Sequence, residues 1–236
     1  MICDIIIRSY YKDFKWLRYC LKSIDKFCRG FRDVIVVVPR SSLQRFIWMG
    51  FASREHFVCP DYRDDYLGQQ ISKLYADTIS DADYICHVDS DCVFHRLCKP
   101  SDMADDGKPQ VVMASYDLLA PQCLWRDVTG KFLRQEVEYD FMRRQPLIYP
   151  GWIYGELRDH TLALHGMKLE DYVAAQPCRG FSEFNALGAF GYYNYPRSFS
   201  WIPTSSRKYH QEFCRWFWSW GGITSNIRRE IERILS

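Results

Sequence analysis

The run Tyr84-Ile85-Cys86-His87-Val88-Asp89-Ser90-Asp91-Cys92-Val93-Phe94 constrains this chain more than any other stretch, because a nearly unbroken apolar segment is interrupted by two carboxylates one residue apart. Apolar residues at consecutive positions imply burial on both faces, which suits an interior strand of a parallel sheet covered by helices. The acids then emerge at the strand's carboxyl end. In open α/β sheets the crevice beyond those ends is where ligands bind. Paired carboxylates there suit a hard divalent cation such as Mg²⁺ or Mn²⁺, which prefers oxygen ligands and is commonly shared with substrate phosphates. The competing reading is a polar turn after a buried strand, since Asp and Ser are both turn formers.

The flanking sequence supports a sheet of this kind. Cys3-Asp4-Ile5-Ile6-Ile7-Arg8 reads as a first strand and residues 9–13 as a loop. Leu17, Cys20, Leu21, Ile24 and Phe27 then recur at helical spacing. Val34 to Val38 forms a second strand closed by Pro39, Ser41 is placed to cap a helix carrying Leu43, Phe46 and Ile47, and a third short strand lies near Phe57-Val58-Cys59. This βαβαβ alternation predicts helices over a mostly parallel sheet. In the helix over residues 68–79, Ile71, Leu74, Tyr75, Thr78 and Ile79 make the core stripe and leave Gln70, Lys73 and Asp77 on another face. That face is either solvated or holds Lys73 as a diphosphate contact, a task suited to a compact cation.

Further along, Val111 to Ser115 reads as another strand, and residues 121–177 read as mainly helical and irregular, including Phe132 to Met142 and Trp152 to Leu164. Phe181-Ser182-Glu183-Phe184-Asn185 places one carboxylate in an apolar setting. In the first turn of a helix capped by Ser182, Glu183 would be favoured by the helix dipole; facing a closed pocket, it would serve as a general base. Trp216, Trp218 and Trp220 put three indoles into five residues ahead of a helix with Ile227, Ile231 and Ile234. Core packing is the expectation for most of them, with one indole available to stack on a sugar.

Composition excludes several classes. With 236 residues the chain fits one domain able to bury roughly 70% of its unfolded surface. Its 31 basic and 29 acidic residues form no basic track, so nucleic acid is a poor partner. No apolar run reaches the ~18 residues of a membrane span, and the opening residues lack the pattern of a signal peptide. Ten cysteines are scattered without a Cys-x-x-Cys pair, which points to free thiols in a reducing cytoplasm.

Taken in order, these runs resemble a GT-A fold glycosyltransferase, with Asp89-Ser90-Asp91 in the place of its DxD motif. More narrowly, the Asp64-to-Leu74, Phe181-to-Asn185 and Trp218-to-Gly222 runs resemble the small glycosyltransferase domains of large algal viruses (chloroviruses) and their bacterial relatives. The resemblance covers nearly the whole chain. It implies one GT-A domain over residues 1–236, with a nucleotide-sugar half at 1–95 and an acceptor side with C-terminal closure at 96–236. A UDP-sugar donor would meet Arg8, Ser9, Tyr11, Gln70, Lys73, Asp89 and Ser90. Mn²⁺ or Mg²⁺ would be held by Asp89 and Asp91, with His210 as a late ligand. Glu183 would act as the base of an inverting transfer to a glycan or glycoprotein, such as a viral capsid glycan made in the host cytoplasm. Asp117 as the base, or retention of configuration, is the alternative. Two other functions stay open: a noncatalytic module binding sugar nucleotides or glycans, and a sugar-nucleotide pyrophosphorylase. The latter needs a Gly-rich loop after the first strand, and residues 8–12 contain no glycine.

Overall fold

A computed structural model describes residues 1–119 and 125–236. The chain opens with β1 (Cys3–Arg8), α1 (Phe14–Phe27), β2 (Val34–Pro39), α2 (Leu43–Phe46), β3 (His56–Cys59), α3 (Asp65–Leu74) and β4 (Tyr84–His87). It continues through β5 (Cys92–Phe94), β6 (Ala104–Asp105), β7 (Lys108–Ser115), α4 (Trp125–Leu133), β8 (Tyr139–Asp140), β9 (Leu147–Pro150), α5 (Trp152–His165) and α6 (Leu169–Ala174). The last elements are α7 (Glu183–Asn194), β10 (Ser200–Pro203), β11 (Cys214–Trp216) and α8 (Ser225–Leu235).

The main sheet has the order β3-β2-β1-β4-β9, with β1 to β4 mutually parallel and β9 antiparallel to β4. The middle strand is therefore β1, and β4 lies between it and β9. Strand alternation divides the sheet's side chains between two cores. Ile6, Val37 and Ile85 join one; Ile5, Ile7, Val36, Val38 and Cys86 join the other. Helices α1 and α2 cover the second face, while α3 to α7 cover the first, giving three layers with helices on both sides. Ile5, Ile6 and Ile7 are fully buried, and each contributes about 1.5–3 kcal/mol. Two small sheets complete the fold, β10-β7-β6 with β8 also on β7, and the pair β11-β5. Strand β9 comes from the later half of the chain, so the main sheet draws on residues on both sides of position 95.

Helix α7 is buried along its length from Glu183 to Gly191, with small and apolar residues on most sides, as a helix enclosed by protein should have. Its Gly188 lets Phe141 approach so closely that a Cβ at 188 would sit 2.4 Å from the Phe141 Cβ. Three expectations are corrected here. The segment Phe132 to Met142 is not a helix: α4 ends at Leu133, Arg134 takes a left-handed φ of 52°, and Tyr139–Asp140 pairs with β7. Ser41 caps nothing; its hydroxyl and amide both donate to the Asp61 carboxylate, at 2.7 and 3.0 Å. Most of the C-terminal indoles are not core, since Trp218 and Trp220 are 54% and 74% exposed. The start of the segment read as helical from Pro121, and Cys123, lie outside the described residues. Among the described residues, nine cysteines are free thiols and no helix is long and apolar enough to cross a membrane.

Candidate active site

Because β1 and β4 are parallel, the residues that follow them emerge at one edge of the sheet. Arg8 and Ser9 come from β1, and Asp89, Ser90 and Asp91 from the turn after β4. The centre of this edge is Lys73, from the last turn of α3. Its Nζ lies 2.8 Å from Asp89 Oδ1 and 2.8 Å from Glu183 Oε1, with the Phe184 ring centroid at 4.7 Å. The face of α3 that carries Gln70 and Lys73 is thus not solvated. Helix α7 covers it, and Lys73 is only 4% exposed. Asp77, assigned to the same face, instead pairs with Arg158 at 2.7 and 2.6 Å. Burial alone would lower the Lys73 pKa, but the carboxylates of Asp89 and Glu183 outweigh it and hold the group above its ordinary value. Lys73 therefore remains an ammonium.

Glu183 is delivered by the first turn of α7, where the dipole favours negative charge. Ser182 precedes the helix without capping it through its hydroxyl, which instead accepts from Asn185 Nδ2 at 3.0 Å. Asn185 Oδ1 in turn accepts the Phe141 N–H at 2.7 Å. The Glu183 N–H, which no helical carbonyl can accept, donates to Gln70 Oε1 at 3.2 Å. The run Phe181-to-Asn185 thus divides its labour: Phe181 and Phe184 pack the core, Asn185 locks the helix start, and Glu183 enters the site.

Gln145 is a site residue that pattern reading missed. Strand β9 pairs Leu147 with His87, and continuing that antiparallel register by two positions sets Gln145 opposite Asp89. Its Nε2 donates to Asp89 Oδ2 at 3.1 Å. The partners fix the orientation of both amides. Gln70 must turn its oxygen to an N–H, and Gln145 must turn its nitrogen to a carboxylate. Gln70 Nε2 and Gln145 Oε1 are left buried without a protein partner among the described residues, as are Ser9 Oγ and Arg8 Nε. Each such group costs about 1–3 kcal/mol when nothing meets it, so their concentration at one edge marks a place built for polar ligands.

Asp91 is buried and covered from the C-terminal side. Its Oδ1 accepts from Trp216 Nε1 at 3.1 Å, its Oδ2 accepts the Ser219 N–H at 2.7 Å, and its backbone oxygen accepts the Phe217 N–H at 3.1 Å. Burial and then Asp89 push its pKa up to about 6, against the lowering effect of the Ser219 amide and the Trp216 indole. Asp13 is likewise pushed up to about 6 by burial and by Asp91, Asp65 and Asp89, with Arg8 opposing. The edge therefore carries more negative charge than its two cations balance. Each Asp91 oxygen keeps a lone pair beyond the one it uses, so hard carboxylate donors for Mn²⁺ or Mg²⁺ are present. Among the described residues no ready-made cluster of three metal ligands is assembled. His210 is exposed on the turn Arg207–His210, whose carbonyls at 208 and 209 accept from Arg144, and no hydrogen bond or ion pair joins it to either acid.

The remaining expected residues divide by location. Arg8 is buried and committed, donating to Asp65 Oδ1 at 2.5 Å and to the Ser9 carbonyl at 2.9 Å. Tyr11 is exposed in the same loop, its amide on Ser42 Oγ at 3.2 Å and its ring near Lys12 and Arg45. Ser90 is buried in the turn between the two acids. Asp117 is exposed and pairs with Arg126 at 3.5 Å, outside this network. Concavities of 730 and 460 Å³ open at the opposite edge of the sheet, by Asp83 and Tyr84 and by Asp4 and Arg32. At the acidic edge residues 216–219 cover Asp91, while Asp89 stays partly exposed.

The raised Asp13 pKa has a sign that can be measured. A carboxyl whose folded pKa exceeds its unfolded value favours the fold while protonated, so stability is lost as pH rises from about 4 to about 6. Asp13→Asn, melted in chelator, is expected to raise Tm by about 2–4 °C at pH 7.5 and to leave it unchanged at pH 4. A variant less stable than wild type at pH 7.5 would remove the crowding argument.

No protein-family model matches this chain, and no curated protein matches it.

Proposed function

We propose that the chain is a metal-dependent glycosyltransferase of the GT-A type, moving a sugar from a UDP-linked donor to a hydroxyl of a glycan or glycoprotein with inversion at the anomeric carbon. The observation that carries this reading is the buried Lys73 ammonium, held 2.8 Å from Asp89 and 2.8 Å from Glu183 at the carboxyl edge of a parallel sheet. In glycosyl transfer, negative charge builds on the departing diphosphate. A fixed cation in a low-dielectric setting stabilises that charge more in the transition state than before it. Asp89 and Asp91 would hold Mn²⁺ or Mg²⁺, which adds neutralisation of the same leaving group. His210 stands outside this set.

The loop after β1 borders the nucleotide, with Tyr11 offering an exposed ring and Ser9 an uncommitted hydroxyl, while Arg8 stiffens the loop through Asp65. Gln70 Nε2 and Gln145 Oε1 are one donor and one acceptor suited to donor hydroxyls. Glu183 takes the acceptor's proton. A second reading of Glu183, as the anchor that positions Lys73, is favoured by their ion pair. The free thiols fit a cytoplasmic protein.

Titration with UDP tests the proposal. UDP is expected to bind wild type only when Mn²⁺ is present, and Asp91→Ala, verified as folded by its melting curve, is expected to lose tenfold or more, about 1.4 kcal/mol. Asp117→Ala should bind as wild type does. Failure of UDP to bind with Mn²⁺ at millimolar concentration would defeat the proposal, and binding without UDP release in any acceptor mixture would leave a noncatalytic module.

A further inference from the structure

Trp218 and Trp220 are large apolar side chains left in water, 54% and 74% exposed, beside an otherwise buried site. Trp218 is fixed there from both sides: the Phe217 and Ser219 amides both donate to Asp91, at 3.1 and 2.7 Å. Its indole lies flat on Trp216, with centroids 4.2 Å apart and planes 15° apart, and the Trp216 N–H holds the other Asp91 oxygen. The Trp218 backbone has φ 57° and ψ 92°, a conformation that bulky residues rarely adopt and that persists where its surroundings over-determine it. Trp220 stands at 89° to Trp218 with centroids 6.2 Å apart, and the Arg179 guanidinium lies 5.0 Å from its ring. The chain thus holds an angled pair of indole faces on a segment bonded to Asp91, with a cationic hydrogen-bond donor at the rim.

Resting on the glycosyl-transfer reading, we infer that Trp218 and Trp220 form the acceptor subsite, and that the acceptor is a sugar ring rather than an amino-acid side chain. A pyranose has an apolar C–H face and a rim of hydroxyls. That shape matches an indole face bordered by a guanidinium. The three hydrogen bonds to Asp91 tie the platform to the point where the donor sugar would be released, so an acceptor stacked there would present its hydroxyl beside the reaction centre.

The test is a printed glycan array probed with the intact chain in the presence of UDP and Mn²⁺, followed by fluorescence titration with the glycan retained most strongly. Wild type is expected to retain a subset of glycans with a change in tryptophan emission. Trp218→Ala and Trp220→Ala should each lose tenfold or more, and Trp220→Phe, which keeps a ring, should lose less. UDP affinity with Mn²⁺ should stay within twofold in all three. The inference is overturned if no glycan is retained, if the alanine variants retain glycans as wild type does, or if UDP affinity falls in parallel, which would make the segment a cover for the donor. Glycan retention and UDP binding are read separately, so failure of one is distinguishable from failure of the other.

Discussion

Replacing Lys73 by methionine is expected to cost about 3–5 kcal/mol, the largest stability effect of any single change at the acidic edge. Methionine has nearly the same length, so packing against Phe184 is largely kept and the loss is one of charge. Two carboxylates, Asp89 and Glu183, would then face each other across a buried gap with no cation between them. In a chain of this size that is a fall in Tm on the order of 10 °C at pH 7. The control is the triple change Lys73→Met, Asp89→Asn, Glu183→Gln, which removes all three charges together. It should recover much of the loss, because neutral side chains of similar shape need no counterion. Equal destabilisation in the single and triple variants would mean that shape rather than charge holds this part of the molecule.

The largest effect on activity is expected from Glu183→Gln. The amide keeps the shape, and the backbone bond from residue 183 to Gln70 is untouched. If Glu183 is the base proposed above, the amide cannot take a proton from the acceptor, so turnover should fall about 10²–10⁴-fold while UDP affinity with Mn²⁺ changes less than twofold. The pairing with Lys73 offers a different outcome. If Glu183 serves mainly to position the ammonium, donor affinity and thermal stability fall together with turnover. The ratio of the two losses, measured in one set of titrations and rate assays, decides which role the carboxylate plays.

The parts of the fold that could be read in advance are those whose signals are local. Ile5-Ile6-Ile7, Val34 to Val38 and Tyr84 to Val88 are short apolar runs with turn residues after them, and each is a strand in the main sheet. The placing of Asp89 and Asp91 at a strand end followed from the same pattern. What could not be read depended on distant partners. Leu147-Ile148-Tyr149-Pro150 sits between prolines, which argues against an ordinary interior strand; it is in fact the sheet's edge, where proline is tolerated. Without that strand there is no register, and without the register Gln145 has no reason to meet Asp89. Helical spacing sets Lys73 on a face of α3 other than the core stripe. That this face is buried depends on α7, which begins 110 positions later. The tryptophans misled for the opposite reason: the short β5-β11 pair half-buries Trp216 and has no room for the next two.

The bonds that fasten Asp91 to Trp216 and Ser219 span 125 and 128 positions of chain. On a ribosome adding about 5–20 residues per second, the acid emerges on the order of 6–25 s before the tryptophan that will cover it. The sheet's first four strands are by then already made, so the nascent molecule can assemble its frame while this carboxylate still faces water. Closure of the edge has to wait for residues 216–219, and a translational pause between the two would prolong the interval in which the acid stands open.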